Sequence, residues 1–310
     1  MKHLKWVILT VLFFSIHNYS WTQSEKDIKV KTDYGKLYGT LITCENKRDA
    51  PIVIIIPGSG PTDRNGNSVL AQTNSYKLLA EDLADQGISS LRYDKLLVGE
   101  SKGNINEEEL RFDDNVAFVS AWIDYLNSKR YNNIVLLGHS EGSLIGMLAA
   151  QENNVSKFIS IAGTGRSIDK VLIDQLSEQP APIQSEVKKL FQKMREGKPV
   201  NDVSSELSGL FRPSVQPYIR SWMKYEPKDE IGKLNIPVFI IHGTTDIQVK
   251  KKDAELQYGG NSKAELKYIE GMNHIFKEAT EDKEANLKTY YNPKLPLHPE
   301  LIPAIVGFVK

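Results

Sequence analysis

The sequence predicts an α/β fold, a doubly wound and mainly parallel sheet with an inserted helical cap, and three observations carry that reading. Short β-branched or apolar runs alternate with amphipathic stretches, which implies crossover connections between parallel strands. The run Ile52–Ile56 is apolar without alternation and enters Pro57-Gly58, as expected of a strand buried on both faces. About seventy residues separate Ala162 from Val238, and a structureless loop of that length is improbable in a compact domain.

Partial alternation from Ile28 to Thr43, with Gly35 and Gly39, predicts an N-terminal antiparallel hairpin. Strands are then expected at 52–56, 89–93, 134–137, 158–162, 238–241 and 266–269. Helices are expected at 76–86, 113–128, 143–151 and 253–258. In the long interval, Ile168-Val171-Leu172, Val187-Leu190-Phe191-Met194 and Tyr218-Ile219-Trp222-Met223 recur at helical spacing, divided by prolines, and predict several cap helices. The expected organisation is a signal segment at 1–22, a first core part at 23–166, a cap at 167–232 and a second core part at 233–310.

The composition is that of an ordinary globular protein, with 40% hydrophobic and 25% charged residues. Lys plus Arg and Asp plus Glu both number 39, so the chain lacks the basic surplus of a duplex-binding protein, and no nucleic-acid partner is expected. Lys2 and Lys5 followed by the apolar run from Trp6 to Ile16 read as a cleavable signal peptide. That run is shorter than the roughly 20 residues a membrane span needs, so no stable membrane insertion is expected after cleavage, and the mature chain is placed outside the cytoplasm. Ser20 and Thr22 suit a cut before Gln23. Cys44 is the single cysteine, which excludes an internal disulfide and reads as a small, partly buried residue. No metal-binding motif occurs, and neither metal nor cofactor is expected.

The chemistry centres on Gly138-His139-Ser140-Glu141-Gly142, which fits the G-x-S-x-G turn that holds a nucleophilic serine between strand and helix. The pattern alone is weak, because Gly99-Glu100-Ser101-Lys102-Gly103 fits it too. Context separates them. Ser140 follows the apolar run 134–137 and precedes an apolar stretch at 143–150, whereas Ser101 has neither, so Ser101 is set aside. A serine hydroxyl needs a base, and the base needs an orienting carboxylate. His274, just past the last predicted strand, is chosen as base over His298 in the proline-rich tail. Asp246, in the loop after the strand at 238–241, is chosen as acid over Asp253, whose position at a helix start is explained by capping and the helix dipole. The oxyanion of acyl transfer is assigned to the backbone N–H groups of Glu141 and Ser59, with Gly60 in reserve. Gly60-Pro61 lacks the Gly-Lys-Ser/Thr ending of a phosphate loop.

With these residues placed, the chain resembles the α/β-hydrolase superfamily and, within it, the bacterial EstD-like esterases related to serine aminopeptidase-type hydrolases. The resemblance rests on PGSGPTDRNGN at 57–67, RYDK at 92–95, VGES at 98–101, GHSEG at 138–142, RPSVQPY at 212–218, GTTDIQV at 243–249 and GMNH at 271–274. It implies carboxylesterase activity on small acyl esters, with Ser140, Asp246 and His274 as the triad. Leu96-Leu97 departs from the Arg-Gly that relatives often carry there. Arg64 is expected to pair with Asp63 or to meet an anionic substrate group; Tyr218, Trp222 and Tyr225 are expected either to line the acyl pocket or to pack the cap. Peptidase or amidase activity is the alternative, since the same triad cleaves amides. A non-catalytic binding protein is a further one, and a haloalkane dehalogenase is disfavoured because the turn carries a serine rather than a carboxylate.

Overall fold

The computed structural model describes residues 23–44 and 49–310, so the expected signal segment lies outside the described residues. Period-2 alternation organises the centre. In β3 (Ile52–Ile56) every residue is buried, with Ile52, Ile54 and Ile56 facing one core and Val53 and Ile55 the other. Each fully buried side chain of this kind contributes about 1.5–3 kcal/mol relative to leaving it in water.

The hairpin β1 (Gln23–Thr32) and β2 (Gly35–Cys44) precedes this strand, and β4 (Ser89–Tyr93), β5 (Ile134–His139), β6 (Lys157–Ile161), β7 (Val238–Gly243) and β8 (Glu265–Ile269) follow it. The order across the sheet is β1-β2-β4-β3-β5-β6-β7-β8, with a two-residue strand at Lys102–Gly103 beside the start of β2. β2 runs antiparallel to both β1 and β4, and from β4 to β8 all pairs are parallel. The C-terminal ends of β3, β5 and β7 therefore share one edge, where the loops carrying Ser59, Ser140 and Asp246 begin.

Helices cover both faces. α1 (Ser75–Asp85) packs with the side that holds Val53 and Ile55, while α2 (Phe112–Ser128) and α3 (Glu141–Glu152) pack with the side that holds Ile54 and the buried Trp122. Cys44 is buried on the α1 side, its thiol 3.5 Å from the Ala84 carbonyl.

Between β6 and β7 the chain forms α4 (Ile168–Gln175), α5 (Ala181–Arg195), α6 (Ser208–Phe211), α7 (Gln216–Trp222) and α8 (Pro227–Ile231). Val187, Leu190, Phe191 and Met194 form the buried stripe of α5, and Phe191 meets Phe211 edge-on at 4.9 Å. Prolines start α5, α7 and α8, at the first-turn positions where the missing N–H costs no hydrogen bond.

After β7 come α9 (Lys251–Gly260) and, past β8, α10 (Lys283–Lys288). The region read as a proline-rich tail ends in α11 (Leu301–Val309), which buries Leu301, Ile305 and Val309 beside α1. Pro303 sits in its first turn, where a helix tolerates it. Among the described residues no helix is long and apolar enough to cross a membrane.

Candidate active site

β5 delivers the chain into a turn whose geometry only small neighbours allow. Ser140 has φ 54° and ψ −119°, a strained conformation for a residue with a side chain. A Cβ on Gly138 would lie 2.2 Å from the Gly142 carbonyl oxygen, and one on Gly142 would lie 2.3 Å from that of Ile56. Both flanking glycines are thus required by close approach, and the turn hands Ser140 to the N-terminus of α3. Ser101, the other serine that fits the pattern, is fully buried; its hydroxyl donates to the Asp94 carbonyl (2.9 Å) and accepts from the Tyr38 N–H (2.9 Å).

His274 and Asp246 meet across the loops that follow β8 and β7. The His274 Nδ1–H donates to Asp246 Oδ2 at 2.8 Å, with both side chains almost fully buried. A carboxylate only accepts, so this contact places the imidazole proton on Nδ1 and leaves the Nε2 lone pair free. Asp246 Oδ1 accepts the Gln248 and Val249 N–H groups at 2.7 and 2.9 Å, which fixes the carboxylate plane. Burial alone would raise this carboxyl; His274, His242 and the Val249 N–H outweigh it and hold it below its ordinary value. Ser140 and His274 line one cavity of about 130 Å³.

The rivals sit elsewhere. Asp253 is not a helix cap; it takes Arg166 bidentately (2.9 and 2.7 Å) and the Gly165 N–H (3.0 Å). His298 belongs to a turn, accepting the Glu300 N–H at 3.3 Å.

His139, next to Ser140 in the chain and given no role by the sequence pattern, anchors the site. The His274 carbonyl can only accept, so His139 Nε2–H donates to it (2.9 Å) and Nδ1 accepts the Tyr76 hydroxyl (2.7 Å). Tyr76 in turn accepts the Gly58 N–H at 2.9 Å, so one chain of bonds links α1, the loop after β3, the Ser140 turn and the His274 loop. Burial, with the His274 ring 4.6 Å away, pushes His139 down to about 3. Between its ordinary value of about 6.5 and that value, the unfolded chain binds a proton that the folded chain does not. Stability therefore falls as pH is lowered through this window. The urea midpoint is expected to drop less steeply from pH 7 to 4.5 in His139→Gln than in wild type; equal slopes would contradict the assignment.

The loop Gly58-Ser59-Gly60 is held from a second side. Lys95 Nζ donates to the Gly58 carbonyl (2.7 Å) and to Glu141 Oε2 (3.2 Å), while Glu141 Oε1 accepts the Tyr218 hydroxyl (2.7 Å). With the Gly58 carbonyl turned to Lys95, the trans peptide directs the Ser59 N–H to the opposite side. Glu141 N–H lies in the first turn of α3 and has no partner within the helix. One ammonium thus ties together the two segments that offer these N–H groups. Lys95→Met is expected to lower kcat by about 10²-fold with little change in KM, the scale of losing one oxyanion donor. Because that change also strands a buried carboxylate, the double variant Lys95→Met/Glu141→Gln is the control. It should regain thermal stability without regaining kcat, and recovery of both would assign Lys95 to folding alone.

Other expectations are corrected. Arg64 does not pair with Asp63, nor does it line the cavity that holds Ser140. Its guanidinium donates twice to the buried Asp94 (3.1 and 2.8 Å) and also meets Asp27 and Glu100, while Asp63 caps its own loop through the Asn65 and Asn67 N–H groups. Trp222 stacks on Phe112 at 5.4 Å and an 11° interplanar angle, which is packing between cap and core; Tyr225 hydrogen-bonds Asp113. Of the three cap aromatics, Tyr218 reaches a cavity, one of about 380 Å³ whose walls also include Glu141, Gly60 and Leu97.

A strained serine turn at the C-terminal edge of a mainly parallel sheet, with an antiparallel second strand and a His–Asp pair on the following loops, defines the class. A family model described as the alpha/beta hydrolase fold matches residues 51–202, and the chain has that fold. It is similar to Esterase EstD of Thermotoga maritima, 24% identical over 266 residues, which cover 81% of this chain and 60% of that protein's length. Among solved structures, Est1E from Butyrivibrio proteoclasticus with ferulic acid bound superposes with a TM-score of 0.61 at 20% identity, covering 91% of this chain and 99% of that one. The Pyrococcus furiosus esterase Pf2001 does so with a TM-score of 0.56 at 16% identity, covering 86% and 88%. These structural likenesses establish the fold.

Proposed function

We propose that the protein is a carboxylic ester hydrolase that works through an acyl-enzyme on Ser140. The observation that carries this reading is the buried His274–Asp246 bond beside the strained Ser140, with the free imidazole nitrogen on a residue that shares the serine's cavity. Ser140 Oγ attacks the ester carbonyl carbon as its proton passes to His274 Nε2. The resulting oxyanion is held by the Ser59 and Glu141 N–H groups, and Asp246 stabilises the imidazolium. When the carbon–oxygen bond to the alcohol breaks, His274 returns the proton to the departing oxygen. Water then repeats the sequence on the acyl-enzyme and releases the acid.

The similarity to an esterase supports an ester substrate. A fluorophosphonate probe should label wild type stoichiometrically, with the adduct on the peptide bearing Ser140, and p-nitrophenyl esters should turn over. Absence of labelling together with absence of turnover would sink the reading.

Export is part of this proposal. The positive start and the apolar run support it. Intact mass of protein recovered from the extracytoplasmic fraction of a bacterial host should correspond to a start near Gln23; a mass retaining residues 1–22 would contradict cleavage.

A further inference from the structure

Two cavities flank the loop Ser59–Pro61, and their chemistries differ. The smaller, about 130 Å³, holds Ser140 and His274 and is walled by hydroxyl and amide side chains. Several of these spend their hydrogens internally: Thr73 on the Gly66 carbonyl, Ser75 on the Ile275 carbonyl and Tyr76 on His139. Others keep capacity. Among the described residues Gln248 uses only its amide group, donating to the Tyr290 oxygen at 3.1 Å, which leaves its Oε1 and the Tyr290 hydrogen open. Ser68 accepts the Leu70 N–H and retains its own hydrogen.

The larger cavity, about 380 Å³, reverses this pattern. Its polar members satisfy one another: Lys95 and Tyr218 on Glu141, Asn115 on Tyr218, and Arg212 on Glu107. What remains to face a ligand is apolar, including Leu96, Leu97, Leu110 and Val215. Leu97 adopts φ 66°, the left-handed region that disfavours a side chain, and is 43% exposed, so core packing does not account for it. A strained, half-open leucine on a cavity wall points to a contact with something that enters the cavity.

The chemistry of the proposed reaction assigns the two sides. The base must reach the departing oxygen, so the alcohol lies on the side of His274, Gln248 and Tyr290. The acyl group then extends past the Glu141 N–H towards Leu97. We propose that the substrate class is an ester joining an apolar acyl group to a small hydroxylated alcohol such as a glycerol or sugar unit. This inference rests on the ester-hydrolase reading.

The test compares kcat/KM of the full chain for 1-monooctanoylglycerol and ethyl octanoate, and for p-nitrophenyl octanoate and p-nitrophenyl acetate. The glycerol ester should be preferred over the ethyl ester by about tenfold or more, and Gln248→Leu should bring that ratio towards one. Leu97→Gly and Val215→Trp, which respectively remove the wall and fill the cavity, should each lower the octanoate-to-acetate ratio by about tenfold. Equal rates for the glycerol and ethyl esters, or octanoate-to-acetate ratios unmoved by both cavity variants, would overturn the proposal while p-nitrophenyl acetate turnover kept the hydrolase reading intact. No turnover of any ester would instead defeat the hydrolase reading itself.

Discussion

Ester turnover should fall by about 10⁶-fold when Ser140 is replaced by alanine, the scale found when a triad nucleophile is removed. The loss is expected in kcat, since the alanine variant keeps both cavity walls and KM depends on them. His274→Ala should cost about as much, and combining the two should add almost nothing, because attack and proton removal are one event. Hydrolysis rates of a p-nitrophenyl ester by the single and double variants check this. Additive losses would mean that the two side chains act in separate steps. The backbone also makes a statement about Ser140→Ala: the φ of 54° remains strained with a methyl group, so the variant should fold with near wild-type stability rather than gain from relief.

Asp246→Asn should lower kcat by about 10⁴-fold, and the reason lies in which atoms surround the carboxylate. Oδ1 receives two backbone N–H groups, from Gln248 and Val249, so the oxygen of the new amide must stay on that side. Its NH₂ then faces His274 Nδ1, which must become an acceptor. The imidazole proton moves to Nε2, and the ring cannot take a proton from Ser140. Binding of substrate is untouched, so KM should change little. A loss below about tenfold in kcat would show that Asp246 does not set the tautomer.

Much of the architecture was legible because it is written in local pattern. Ile52–Ile56 and Ser89–Tyr93 coincide with strands β3 and β4, and the apolar stretch after Ser140 is the buried helix α3. The choice between the two serine motifs followed from strand and helix context, and the structure gives Ser101 a buried bonding role between Tyr38 and Asp94. The residues chosen as base and acid lie 28 positions apart, and the structure makes them hydrogen-bonded neighbours.

What pattern did not reveal were partners that the topology alone brings together. Arg64 adjoins Asp63 in sequence, but the parallel pairing of β3 with β4 carries Asp94 to its side. Asp253 looked like a helix-start carboxylate, and only the fold delivers Arg166 to it. Lys95 ties Gly58 to Glu141 across three strand ends, a contact with no signature at any of the three positions. His139 had one available clue, its place between the glycine and the nucleophile in a buried turn, where a polar ring must find partners.

In the proposed reaction, hydroxyl, imidazole and two backbone N–H groups converge on one reacting carbon. A crystal structure of the wild-type protein inactivated with a short alkyl phosphonate tests it most directly. Phosphorus should be bonded to Ser140 Oγ, with the phosphonyl oxygen about 2.7–3.1 Å from the Ser59 and Glu141 nitrogens and His274 Nε2 within hydrogen-bond reach of the adduct. A phosphonyl oxygen turned away from both N–H groups, or an adduct on a different side chain, would contradict it.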